Sequence, residues 1–212
     1  MTAERSSEGP ADDGPASDAT EAASDATADD RPVVLAVDDQ ARVVEAVALW
    51  LDEYEVRTAT SGEDALELAD EDVDVVLLDR HMPGMDGDEV LERIRERGLD
   101  YRVAMLTAVD PELDVVEMAF DEYVTKPAGR DAVRETVERL LRVADGDDAV
   151  RDLFAVTNKQ AALESEHSTA ALEGDERYER LRERRAELEE RIESTLGGLD
   201  HDDAAAAFRD LS

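Results

Sequence analysis

The chain has 212 residues, of which 57 are acidic and 23 basic, for a net charge of −34. This charge disfavours nucleic-acid binding unless basic residues gather on one face, and its spread along the whole chain indicates adaptation to high salt. The chain has no cysteine, which excludes disulfides, thiolate metal sites and thiol nucleophiles. No apolar run is long enough to span a membrane and no signal segment is found, so we expect a cytoplasmic protein.

The first 31 residues contain almost no large apolar side chain and are predicted to form a disordered acidic tail. From Val33 onward, short apolar runs typical of strands alternate with amphipathic helical patterns. The predicted strands are Val33–Val37, Val56–Thr60, Val75–Asp79, Val103–Thr107 and Tyr123–Thr125.

Five β–α repeats predict an α/β fold, a doubly wound five-stranded parallel sheet with helices on both faces. We expect the strand order 2-1-3-4-5, in which strands 1 and 3 are neighbours. That order would bring Asp38, Asp39 and Asp79 into one cluster at the carboxyl edge of the sheet.

The remaining sequence predicts a separate helical module. A helical pattern runs from Asp147 to about Leu172, and Gly174 and Asp175 are a typical helix stop and N-cap. A second helical pattern then runs to about Leu196, so residues 148–196 are predicted to form a helical hairpin. Residues 197–212 are predicted to be a flexible tail.

Polar side chains lie where four of the predicted strands end: Asp38 and Asp39, Asp79, Thr107 and Lys126. Clustered carboxylates need a cation, and hard oxygen ligands favour Mg²⁺. A carboxylate can act as a nucleophile towards phosphorus, while a lysine and a hydroxyl can bind the transferred group. Taken singly, these residues also fit an ordinary turn, a helix cap and a strand-end hydroxyl.

Four motifs occur in order at compatible spacing. They are VDD at Val37–Asp39, LLDRHMPGMDG at Leu77–Gly87, LTA at Leu106–Ala108 and YVTKP at Tyr123–Pro127. With these motifs, residues 32–145 resemble the receiver domain of two-component response regulators.

The resemblance implies a role for each matching residue. Asp79 would be the phosphoacceptor, and Asp39 and Asp79 would bind Mg²⁺ directly, together with the backbone carbonyl of His81. Asp38 would hold the ion through water. The ring of His81 is expected to point to solvent.

Three further residues take roles from the same resemblance. Thr107 and Tyr123 would be the switch pair, although Tyr123 alone also fits a half-buried core aromatic. Lys126 would contact the phosphoryl group, and the Lys126–Pro127 peptide bond is expected to be cis. Outside the motifs, His167 and His201 are expected to be inert.

One segment departs from the receiver pattern. Between Thr107 and Tyr123 the chain is a few residues shorter than usual and lacks a glycine before the aromatic residue. We therefore expect a short or irregular fourth helix. Receivers commonly use the face around the fourth helix for dimerisation and for contacts with their output domains. A short or irregular fourth helix would therefore alter both kinds of contact.

The second module resembles the HalX domain that follows receivers in haloarchaeal regulators. The shared features lie in residues 148–196: the segment NKQAALESE, the segment LEGDERY and a second helix rich in Leu and Arg. This likeness agrees with the acidic composition.

Together the two resemblances imply a response regulator involved in signal-dependent transcriptional regulation. A sensor histidine kinase would phosphorylate Asp79, and the chain would promote only its own phosphorylation and dephosphorylation. The sequence does not decide whether the chain forms a homodimer through the hairpin or whether it binds DNA.

Two other functions are considered. The first is a transcription factor that binds DNA directly through the helical module, although no helix-turn-helix is recognisable. The second is a Mg²⁺-dependent aspartyl-phosphate phosphatase, a class that usually carries a second Asp where His81 stands.

Overall fold

The computed structural model describes residues 31–144 and 147–196. The predicted tails over residues 1–31 and 197–212 lie outside this range except for Arg31, as does His201.

Five strands form one parallel sheet in the predicted order β2-β1-β3-β4-β5. β1 pairs with both β2 and β3, in a register that places Val37 beside Leu78. The continuous apolar runs of β1 and β3 are buried on both faces, as expected of central parallel strands. The bounds are β1 Val33–Val37, β2 Glu55–Ala59, β3 Val75–Leu78, β4 Arg102–Thr107 and β5 Glu122–Thr125.

Helices cover both faces of the sheet and bury two apolar clusters against it. The helices are α1 Ala41–Trp50, α2 Gly62–Leu68, α3 Gly87–Glu96 and α4 Arg130–Ala144. Ser61 caps α2 by accepting a hydrogen bond from the Asp64 amide at 3.1 Å.

The segment between β4 and β5 is irregular, as expected. Its only regular element is a single 3₁₀ turn, Leu113–Val116. Here and below, residues 108–121 are called the connecting segment.

The C-terminal module contains three helices, α5 Asp148–Glu166, α6 Thr169–Leu172 and α7 Glu176–Leu196. The single helix predicted up to Leu172 is therefore wrong in one respect, because α5 ends at Glu166 and His167 is its C-cap. The backbone of His167 is extended, and its Nε2 lies 2.9 Å from the carbonyl oxygen of Pro111. The predicted cap at Asp175 is confirmed, since its carboxylate accepts a hydrogen bond from the Arg177 amide at 2.8 Å.

The hairpin packs on the receiver domain. α5 lies along β5 and the 3₁₀ turn, and α7 packs on both α5 and that turn. Apolar side chains from both modules share one buried cluster, which includes Val115, Phe120, Leu163, Leu172, Tyr178 and Leu181. The connecting segment is therefore covered by the chain's own helices.

None of the helices within residues 31–144 and 147–196 has both the length and the hydropathy that a membrane span requires.

Candidate functional site

Three carboxylates meet at the carboxyl edge of the sheet. Asp38 and Asp39 follow β1, Asp79 follows β3, and the register of these neighbouring strands brings them together. One oxygen from each carboxylate lies within 4.8 Å of the others. Asp38 and Asp79 are buried, whereas Asp39 is exposed. The cluster predicted from the strand order is therefore formed.

Lys126 brings a positive charge to this cluster from the end of β5. Its ammonium group forms an ion pair with Asp38 and lies 3.4 Å from a carboxylate oxygen of Asp79. Its backbone N–H donates a hydrogen bond of 2.7 Å to the carbonyl of Thr107. The Lys126–Pro127 peptide bond is cis.

The donor set of the cluster suits a hard divalent cation. All three side chains offer carboxylate oxygens, the ligand type that Mg²⁺ prefers. Asp38 is held in place by the Gln40 amide, which donates to it at 2.8 Å. The side chain of His81 is exposed, so any contribution to the cluster would come from its backbone.

A glycine lets the start of α3 approach Asp79. The Gly87 amide donates a 2.8 Å hydrogen bond to the carbonyl of Arg80. A β-carbon at Gly87 would lie only 2.2 Å from the carbonyl oxygen of Asp79. The predicted motif contains this residue, but its steric role is visible only in the fold.

Thr107 and Tyr123 both bind the backbone of Val109. The Thr107 hydroxyl oxygen accepts a hydrogen bond from the Val109 amide at 3.3 Å. The Tyr123 hydroxyl donates to the Val109 carbonyl at 2.7 Å. The two predicted switch residues therefore hold the first turn of the connecting segment between them.

Arg80 is a site neighbour that the sequence did not reveal. It is buried next to Asp79 and forms ion pairs with Asp88, at 3.0 Å, and with Asp114 in the connecting segment. Burial alone would lower the pKa of Arg80, but the hydrogen bonds that it donates to both carboxylates raise that pKa above its usual value. Burial also raises the pKa of Tyr123, an effect that the nearby Arg80 opposes.

The hairpin binds the connecting segment through side chains that donate to backbone carbonyls. Asn158 donates to the carbonyl of Asp121 at 3.1 Å, and Lys159 donates to that of Met118. The Lys159 ammonium also lies 5.0 Å from the centre of the Phe120 ring. His167, predicted to be inert, contacts Pro111, as described above.

Part of this contact had a sequence signal. Lys159 is one of only two lysines in the chain, and it lies in the NKQAALESE segment. Its partner is a backbone carbonyl 41 residues earlier, however, and a carbonyl has no sequence signature.

Comparison with known proteins assigns both modules. The family described as the response regulator receiver domain matches residues 34–138, and the HalX domain matches residues 142–208. A solved CheY-like receiver domain protein from Methanospirillum hungatei shares the fold with a TM-score of 0.51 at 23% identity. That match covers 54% of this chain and 97% of the other.

Two curated relatives are regulators. A protein of Haloferax volcanii described as a transcriptional regulator is 48% identical over 174 residues, which is 79% of this chain and 30% of that protein. The alkaline phosphatase synthesis transcriptional regulatory protein PhoP of Bacillus subtilis is 38% identical over 115 residues, 51% of this chain and 48% of that protein. The chain thus spans between about a third and half the length of these relatives. It belongs to the response regulators, with a receiver domain followed by a HalX domain.

Proposed function

We propose that Asp79 accepts a phosphoryl group from a sensor histidine kinase, and that the hairpin responds to this change through the connecting segment. The arrangement of three carboxylates within 4.8 Å with Lys126 beside Asp79 is the observation that supports the proposal most directly. It brings together a nucleophile, a set of metal ligands and a cation for the transferred group.

In the proposed step, a carboxylate oxygen of Asp79 attacks the phosphorus of a phosphohistidine. The new O–P bond forms as the N–P bond breaks, and the imidazole leaves with the electron pair of that bond. Lys126 would bind one oxygen of the transferred group, and Thr107 would donate a hydrogen bond to another. Asp38, Asp39 and Asp79, with the carbonyl of His81, would hold Mg²⁺, which offsets the charge between nucleophile and phosphoryl group.

The connecting segment offers a physical route from Asp79 to the hairpin. A phosphoryl group that draws the Thr107 hydroxyl towards itself would compete with the bond between that hydroxyl and Val109. Tyr123, which lies just after the connecting segment, also binds Val109, through its carbonyl. A change at Thr107 would therefore be felt at both ends of the connecting segment. Because Pro111 and Met118 are bound by side chains of α5 and its C-cap, a shift in the segment would change hairpin docking.

Further support comes from what surrounds the site. Arg80 directly follows Asp79 in the chain and forms an ion pair with Asp114. This ion pair gives a second link between the site and the connecting segment. The exposed His81 stands where an aspartyl-phosphate phosphatase would carry a second carboxylate. We therefore propose that the chain promotes only its own phosphorylation and dephosphorylation, in the cytoplasm where kinases obtain ATP.

For the output, we favour a protein partner over direct DNA contact. Arginines of α7 are paired with acidic side chains, such as Arg184 with Asp152 at 3.0 Å and Arg185 with Glu189 at 2.8 Å. The apolar side chains Tyr178, Leu181 and Leu188 are buried within the chain. A homodimer through this apolar surface would require the hairpin to leave its docked position first.

The proposal is tested by phosphorylation of Asp79→Asn with acetyl phosphate and Mg²⁺. We expect the variant to lose the acid-stable, base-labile label of an acyl phosphate while its circular dichroism is unchanged. Asp110→Asn is the matched control, because it removes an exposed carboxylate from the connecting segment and should be labelled like the wild type. Stoichiometric labelling of Asp79→Asn would disprove the assignment.

A further inference from the structure

A cavity of about 410 Å³ lies between the receiver domain and the hairpin, away from the carboxylate cluster. Its walls come from α3, β4, the end of the connecting segment, α5 and α7. This volume lies in the range of small-molecule pockets, about 300–1,000 Å³. Apolar side chains, including Val116, Phe120, Val156 and Leu181, form part of the wall.

Positive side chains outnumber negative ones in the lining of the cavity, whereas the chain as a whole is strongly negative. Five cationic side chains line the cavity against three acidic ones, Asp100, Asp121 and Asp152, in a chain whose acidic residues outnumber its basic residues by more than two to one. The cationic side chains are Arg95, Arg102, Lys159, Arg180 and Arg184.

The excess positive charge is carried by the most buried side chains of the lining. Arg102 and Lys159 are buried and Arg95 is largely so, whereas Asp121 is the only buried carboxylate of the lining. Asp121 pairs with Arg102 at 3.2 Å and with Arg95 at 3.6 Å. Arg102 also pairs with the exposed Asp100 at 3.1 Å, so among the described residues Asp121 is the one buried carboxylate near Arg95, Arg102 and Lys159.

Two observations show that these cations are not fully compensated. The Nε atom of Arg102 is buried and has no hydrogen-bond partner among the described residues. Burial, reinforced by the charge of Arg95, lowers the pKa of Lys159 to about 8 despite the opposing effect of Asp121. Lys159 donates to the carbonyl of Met118 and Arg102 pairs with carboxylates, so each is only partly compensated. Burying a charge that is only partly compensated is costly, so an anion entering the cavity would gain a favourable interaction.

We propose that this cavity binds a small ligand through a tetrahedral oxyanion, either inorganic phosphate or the phosphoryl group of a small phosphomonoester. Lys159 and Arg102 would face the oxyanion from the buried side. Arg180 and Arg184 are about half exposed and pair with Glu117 at 3.7 Å and with Asp152 at 3.0 Å, and they would exchange these exposed ion pairs for the oxyanion. The apolar wall gives room for the organic body of a monoester. Such a ligand would contact β4, α5 and α7 at once and would hold the hairpin against the receiver domain.

The test is calorimetric titration of the full chain with potassium phosphate and, separately, with ribose 5-phosphate. Ionic strength is held constant with potassium glutamate, so that chloride does not compete. We expect one saturable site. Tighter binding of ribose 5-phosphate would identify a monoester as the ligand, and equal or tighter binding of phosphate would identify the free ion. Absence of saturable binding by both would overturn the proposal.

Arginines of α7 supply the variant and its control. The double variant Arg180→Gln, Arg184→Gln should weaken binding at least about tenfold, since hydrogen bonds to charged groups contribute about 1.5–3 kcal/mol each. Arg182→Gln removes a similarly exposed arginine of the same helix that pairs with Glu179 and does not line the cavity. It should bind like the wild type, and an equal loss in Arg182→Gln would mean that only general charge attracts the anion.

A second measurement isolates Lys159. Sulfate keeps its charge between about pH 7 and pH 9.5, so its affinity should fall as Lys159 loses its proton above about pH 8. The charged groups facing Lys159 are Arg95, Asp121 and Asp152. In Lys159→Met the affinity should be lower and independent of pH. A pH-independent affinity in the wild type would remove Lys159 from the site.

Discussion

Gly87 lies so close to Asp79 that any side chain there would clash with the backbone of Asp79. A β-carbon at Gly87 would stand 2.2 Å from the Asp79 carbonyl oxygen and 2.9 Å from the α-carbon of Arg80. Both are backbone atoms, so the contact is relieved only by moving α3 away from β3. The position of Asp79 therefore depends on this glycine.

We expect Gly87→Ala to lower the free energy of unfolding by about 1–3 kcal/mol, the usual cost of overpacking, and to slow phosphorylation of Asp79. Chemical denaturation and acetyl phosphate labelling measure the two effects. Gly129→Ala is the control, because a β-carbon there meets no atom within 4 Å. Equal stability of the two variants would contradict the proposed close approach.

The carboxyl edge of the sheet could be predicted because each residue there follows a strand. Once apolar runs give the strands and their order, Asp38, Asp39, Asp79 and Lys126 must meet, since parallel strands end at one edge. Local rules also gave the cap at Asp175. These inferences need only neighbours along the chain or along the sheet.

The long-range contacts of the connecting segment could not be predicted. Arg80 pairs with Asp114, 34 residues away, in a chain where acidic residues are so frequent that no partner stands out. Lys159 and Asn158 donate to backbone carbonyls, which every residue has. The break of α5 at His167 likewise accompanies its contact with Pro111 rather than any local stop signal. Tertiary packing decides all three.

Lys126→Ala should separate phosphorylation from the response of the hairpin. The ammonium group contacts Asp38 and Asp79, and the backbone of the same residue is bonded to Thr107, so Lys126 connects the site with the β4–β5 edge. We expect slower labelling of Asp79 and no phosphorylation-dependent change in amide hydrogen exchange between Val109 and Asp121. Mass spectrometry of the exchanged protein, with and without beryllofluoride, measures the second effect.

Arg130→Ala is the control for Lys126→Ala. Arg130 is exposed at the start of α4, 3.7 Å from Asp52, so its loss removes the same charge outside the site. This variant should respond to beryllofluoride like the wild type. If Lys126→Ala also showed the full exchange response, the lysine would have no part in the switch.

Lys159 should make the stability of the protein depend on pH. Burial lowers the pKa of its ammonium group from 10.5 to about 8. Between these values the unfolded chain binds more protons than the folded one, so stability rises with pH. Below about pH 8 both states are protonated and the cost of burying the charge is fully present. The gain between pH 8 and pH 9.5 should be about 1–2 kcal/mol.

This gain is measured by denaturation at several pH values, and Lys159→Met supplies the comparison. The methionine removes the titrating group, so the rise between pH 8 and pH 9.5 should disappear. Measurements stop at pH 9.5 because Tyr101, Tyr123 and Tyr178 have pKa values raised by burial and begin to oppose the trend near pH 10. A wild-type stability that fell through this range would refute the prediction.

Apolar packing, rather than ion pairs, should hold the hairpin. Leu188 of α7 is 1% exposed, and Tyr178 and Leu181 on the same helix are also buried. The pair Arg184–Asp152 is about half exposed on both sides, and at about 1 M salt the screening length is only about 3 Å. Such pairs then add little.

Leu188→Ala should therefore cost about 2–5 kcal/mol, the range for a buried leucine, and should lower the melting temperature measured by circular dichroism in molar KCl. Leu49→Ala makes the same chemical change on α1, where the side chain is 74% exposed. Little apolar contact is lost there, and alanine favours a helix at least as well as leucine, so its melting temperature should stay near that of the wild type. Equal melting temperatures for the two variants would mean that the buried apolar side chains of α7 do not hold the hairpin, and that the exposed ion pairs contribute more than their screening allows.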